Sequence, residues 1–184
     1  MDKEKEAGKE RVDRRPTIAE TLRGLNICEW LLYMWSAEDV VRSGKTHDTE
    51  WARFMPWWEK EWWDETARKM EAEGIGESGH LAEAERVLAE LEDLHDRLST
   101  ERGTGDDYKK AYLRAAPAIH QLGGKEGLLR TCFVFLYGLL LLGLQKKEIS
   151  EDTREAQKTV TEMLSILAGY YKKEKEKEGK EAEE

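Results

Sequence analysis

Glu92 and His95 stand three residues apart in Glu92-Asp93-Leu94-His95. This is the Glu-x-x-His spacing with which carboxylate-bridged di-iron bundles hold metal from one helix face. The full arrangement needs a second such motif on another helix and two further glutamates, and no helix is read to supply them. No cofactor is therefore expected, and His95 reads as a histidine hydrogen-bonded beside an apolar stripe. A second group is electrostatic. Glu29 and Asp39 are set into an otherwise apolar helix, and Arg130 into another, with Tyr137 on the same strip as Arg130. Charges in apolar settings shift their pKa values and mark sites, although structural ion pairs do the same. Glu29, Asp39, His95, Arg130 and Tyr137 are thus the candidate lining of an internal polar pocket. Glu38, in the same helix as Asp39, also needs a cation, and Arg42, Arg130 and Lys146 are the candidates.

Gly74-Ile75-Gly76-Glu77-Ser78-Gly79 spells the dinucleotide fingerprint G-x-G-x-x-G. The fingerprint works between a strand and a helix, where backbone N–H groups meet a pyrophosphate. Here a charged helical pattern precedes it and no strand-like alternation appears, so it reads as a helix stop and a turn. The third chemical signal is aromatic. Trp51, Trp57, Trp58, Trp62 and Trp63 crowd into WARFMPWWEKEWW, more indole than one helix stripe buries. Tryptophan is enriched at interface hot spots, which makes these five a candidate partner surface.

The elements that must position these groups are all helical. Thr17 and Glu20 form a capping box, so a helix is expected from there to about Arg42, ended by Ser43-Gly44. Pro56 starts or kinks the tryptophan-rich helix, which ends at Gly74. Leu81, Ala84, Leu88, Leu91, Leu94 and Leu98 recur at helical spacing and give a third helix its core stripe. Asp106 or Asp107 caps a fourth, with Pro117 as a kink, and Ser150 caps the last. Between them lies LLRTCFVFLYGLLLLGL, Leu128–Leu144, apolar on every side of the wheel. Such a helix is expected to be surrounded by the others. Its uninterrupted apolar run falls short of the roughly 20 residues that a bilayer requires, so a membrane span is not expected.

Composition bounds the rest. The 184 residues hold 30 Lys plus Arg against 39 Asp plus Glu, a formal charge of −9. That balance argues against a nucleic-acid duplex as the main partner, because phosphate binding runs on cation contacts. Cys28 and Cys132 both fall at apolar helical positions and read as a reduced pair in the cytoplasm. Residues 1–15 mix both charge signs with little to bury and are expected to be disordered. Residues 172–184 alternate Lys and Glu and are expected to carry the last helix into solvent or to be disordered.

Three stretches taken together resemble a known family: NICEWLLYMWSAEDVVR, EGIGESGHL and CFVFLYGLLLLGLQKKEISEDT. It is an uncharacterised family of small all-helical bacterial proteins, a domain of unknown function. The resemblance implies a bacterial cytosolic helical protein and brings no activity, cofactor or catalytic residue. The expected architecture is all-α. It is a six-helix bundle over residues 16–171 around a buried central helix at about 126–147, with charged tails at 1–15 and 172–184. The expected function is a non-enzymatic protein-interaction or regulatory module that binds a protein partner or itself. The alternative is a ligand-binding or enzymatic bundle with the internal polar pocket.

Overall fold

The computed structural model describes residues 14–46, 50–100 and 103–182, with the backbone alone for Glu50 and Trp51. Among the described residues the chain forms eight helices and no strand. They are α1 (Ile18–Leu25), α2 (Ile27–Arg42), α3 (Glu50–Phe54), α4 (Trp57–Ala72), α5 (Ala82–Thr100), α6 (Asp106–Leu122), α7 (Leu128–Leu144) and α8 (Glu151–Glu181).

The expected capping box is present. Thr17 Oγ1 accepts from Glu20 N at 3.1 Å, and Thr17 N donates to Glu20 Oε2 at 2.8 Å. The helix it begins is not the single rod to Arg42 that periodicity suggests. It breaks at Asn26 (φ −151°, ψ 105°), whose side-chain oxygen accepts from Cys28 N at 3.0 Å and Glu29 N at 3.3 Å. Asn is a strong N-cap worth about 1 kcal/mol, and a local cap outweighs one more turn of apolar spacing. This break, with the short α3 before Pro56, turns the expected six helices into eight. Pro56 takes the N-cap position of α4, and its carbonyl accepts from Glu59 N and Lys60 N, both at 3.1 Å.

The structure corrects the expectation that Leu128–Leu144 lies at the centre. Helix α5 packs against α2, α6, α7 and α8, and α2 likewise packs against four helices, α1, α4, α5 and α8. Leu81 before α5 and Ala84, Val87, Leu88, Leu91, Leu94 and Leu98 along it are all buried. The most extensive helix contact is between α6 and α8. Helix α7 packs mainly on α5 and α6, through a first half in which Leu129, Cys132 and Phe133 are fully buried. Its outer half leaves the bundle: Leu140 and Leu141 are exposed and Leu144 is 74 % exposed, as is Val134 nearer the start at 56 %. An all-apolar wheel says only that a helix has no polar face. Which neighbours a helix meets depends on which stripes interlock, and α2 and α5 carry stripes that each meet four. Among the described residues no helix is long and apolar enough to cross a membrane.

Helix α8 begins at Ser150, whose hydroxyl accepts from Thr153 N at 3.2 Å, and runs past its last buried residue, Ala168, to Glu181. Residues 1–13 and 183–184, on which the expected tail disorder partly falls, lie outside the described residues.

Candidate functional site

The five residues proposed to line one polar pocket are not brought together, Asp39 and Tyr137 excepted. Glu29 is exposed at the start of α2 and accepts from Asn26 Nδ2 at 3.2 Å. Arg130 is half-buried and pairs with Glu85 on α5, a carboxylate absent from the expected candidates. His95 is buried, with Nδ1 2.6 Å from the Tyr108 hydroxyl and its ring edge-on to Tyr112 at 5.0 Å. Burial holds its imidazole below the usual histidine pKa, although Asp96 and Glu92 oppose the shift. This is the core histidine that its spacing predicted.

Glu92 is engaged with α7. Its Oε1 accepts from Leu129 N at 3.0 Å and Arg130 N at 3.3 Å, so it caps α7 from a neighbouring helix. Gly127, the N-cap of α7, has no side chain to do this. The Glu-x-x-His spacing recurs at Glu77 and His80, which the sequence reading passed over. That pair sits on the turn between α4 and α5 rather than on a helix, and Glu77 is exposed. Among the described residues no group of three or more His, Cys, Asp or Glu is placed to hold a metal ion.

A polar layer does form, around Trp35 on α2. Glu38 is fully buried. Its Oε2 lies 2.6 Å from His80 Nδ1, and its Oε1 accepts from Leu81 N at 2.9 Å. The His80–Glu38 hydrogen bond uses Nδ1 and leaves the other ring nitrogen, Nε2, outside it. The imidazole stacks on Trp35 at 4.3 Å and 14°. Arg42 lies 4.0 Å from Glu38, pairs with Asp39 at 2.9 Å, and donates to the carbonyls of Ile75 and Gly79. Tyr137 closes the layer by donating to Asp39 Oδ2 at 2.5 Å. Burial, then the bond to Asp39, pushes its phenol above the usual tyrosine range. The layer thus ties α2 to the 73–81 turn and to α7. Among the described residues no hydrogen bond joins His80 to a serine, threonine or cysteine, and the thiol of Cys132 is pushed up to about 12 by burial, with Glu92 adding. A histidine held by a carboxylate is therefore present without a hydrogen-bonded nucleophile. The sequence signal that could have found it is Glu38 itself, a carboxylate in a helix apolar on two sides.

The five tryptophans divide. Trp63 is buried, edge-on to Trp62 at 5.1 Å and Tyr33 at 6.5 Å, so this expected surface residue belongs to the core. Its helix turns that edge toward α2. Trp62 is half-buried against Tyr33. Trp57 is 43 % exposed and packs edge-on to the half-buried Trp58. The side chain of Trp51 lies outside the described residues.

Trp58 lines a groove of about 650 Å³ between the start of α1 and the α3–α4 elbow. Ile18, Leu22, Phe54, Met55 and Pro56 form its apolar walls. Phe54 at the elbow is 88 % exposed. Glu59 lies on the floor with only 6 % of its surface exposed. Its Oε2 accepts from Ile18 N at 3.2 Å, and its Oε1 has no hydrogen-bond partner among the described residues. Burial raises its pKa and Glu20 adds to the rise, against the Ile18 bond that lowers it.

Residues 57–178 match the model of a family described as "Domain of unknown function (DUF4924)". No curated protein and no solved structure matches the chain.

Proposed function

The chain belongs to the DUF4924 family, a domain of unknown function, and we propose that it is a non-enzymatic protein-interaction module. The observation that carries this reading is the groove between α1 and the α3–α4 elbow. Phe54 and Trp57 stand exposed beside a trough walled by Ile18, Leu22, Met55 and Trp58. Clustered exposed aromatics over an apolar trough are costly in water unless something covers them. Aromatic anchors with two side-chain torsions lose little freedom when covered, which is why they carry binding energy. The partner chemistry this supports is an apolar segment of another protein. The buried free thiols of Cys28 and Cys132 support a reducing compartment, the cytoplasm.

The test is a photo-crosslinking side chain placed at Phe54, with one at exposed Glu71 as control. A protein captured at position 54 alone, and lost in Trp57→Ser with unchanged thermal stability, is the expected result. Equal capture at both positions, or capture indifferent to Trp57→Ser, would overturn the reading.

One observation favours the alternative of a ligand-binding polar site, moved from the expected pocket to the Glu38–His80 pair. His80 keeps a nitrogen with open capacity on a partly exposed ring. Perturbation of the His80 ring resonances by co-purified small molecules, abolished in Glu38→Gln, would support it.

A further inference from the structure

Beyond Tyr137 the outer half of α7 presents an exposed apolar strip, with Leu139 and Leu142 half-buried beside it. Leu140, Leu141 and Leu144 are exposed, and a Cβ added to Gly138 or Gly143 would meet nothing within 4 Å. At Gly127, on the packed end, the same added atom would lie 2.9 Å from Glu92 Oε1. From Thr131 to Gln145 this helix carries no charge, so a charged partner face has nothing to pair with. Nor does the rest of the chain offer a cover. The segments outside the described residues read MDKEKEAGKERVD, HDT, ER and EE, which contain no apolar run.

We infer that the outer half of α7 is the docking surface for a second copy of this chain, paired across a two-fold axis. A second copy brings the one feature the face requires, an uncharged leucine strip of equal length. The rim is self-complementary in charge. Immediately past the strip, exposed Lys146 and Lys147 are followed by exposed Glu148, Glu151 and Asp152. Under two-fold symmetry, if residue i of one copy meets j of the other, j also meets i. Lysines of each corner can then face acids of the other, so every pairing is made twice. The α1–α4 groove has no part in this contact, and this inference stands or falls independently of the groove.

The experiment is sedimentation equilibrium of the full chain over a range of concentrations, alone and with zwitterionic phosphatidylcholine vesicles. The expected species has the mass of two chains. Leu141→Glu with Leu144→Glu should weaken association by about a hundredfold or more, since two buried leucines are replaced by charges. Leu144→Cys should yield a disulfide between copies under oxidation, because the native thiols are buried. Leu144→Gln alone changes a side chain already in water, so it tests association without endangering the fold. A single-chain mass at every concentration would overturn the inference. So would a dimer indifferent to these substitutions, or vesicle binding that they abolish.

Discussion

Glu38 Oε2 lies 2.6 Å from His80 Nδ1, across 42 residues of sequence, and Glu38 Oε1 takes the N–H of the next residue, Leu81. One buried carboxylate thereby fixes the turn that delivers the chain into α5. It does so with a histidine and a backbone amide, with Arg42 beside it at 4.0 Å.

Glu38→Ala should therefore be among the most damaging single changes in α2. It leaves the buried Leu81 N–H and the half-buried His80 ring without their partner and should cost about 2–4 kcal/mol in urea denaturation. A double-mutant cycle with His80→Ala measures the coupling, and a loss below about 0.5 kcal/mol would show the pair to be dispensable.

Glu59 predicts a gain. Its folded pKa is raised, chiefly by burial, so its stabilising effect exists in acid and is lost as pH rises through the folded value. Above the unfolded value the group therefore opposes folding. Glu59→Gln should then raise Tm at neutral pH, with the gain shrinking as pH falls toward the ordinary carboxylate value of about 4.3. A gain that does not depend on pH would show that the carboxylate charge is not the cause.

His95 acts in the opposite limb. Its folded pKa lies below that of the unfolded chain, mainly through burial, so its contribution is present above about pH 6.5 and lost as pH falls. His95→Gln should flatten the acid limb of a Tm against pH profile. An unaltered limb would mean that the imidazole enters the folded core protonated.

The two ends of α7 should answer glycine substitution with opposite signs. Gly127→Ala combines φ +114° with an approach of 2.9 Å to Glu92 Oε1, so it strains the backbone and displaces the cap. A loss of about 1–3 kcal/mol is expected. Gly138→Ala adds a methyl in open space on a helix and should gain about 0.5–1 kcal/mol in the same denaturation assay.

What the sequence determined alone is what arises within a turn or two of chain. The Thr17–Glu20 capping box, the Ser150 cap and the Leu81–Leu98 stripe are all as read, because caps and stripes depend on residues at most four apart. The buried, hydrogen-bonded His95 is as read too, although its partner Tyr108 stands on the next helix. Even there the Asn26 cap was missed, since apolar spacing continues across it. Tertiary structure decided partnership. Arg130 meets Glu85 rather than a carboxylate of α2, Glu92 caps a helix it is not part of, and Trp63 turns inward while Trp57 does not. It also decided that α7 is enclosed only along its first half. Apolarity measures how much a helix gains by leaving water, but not which neighbour's grooves its side chains fit.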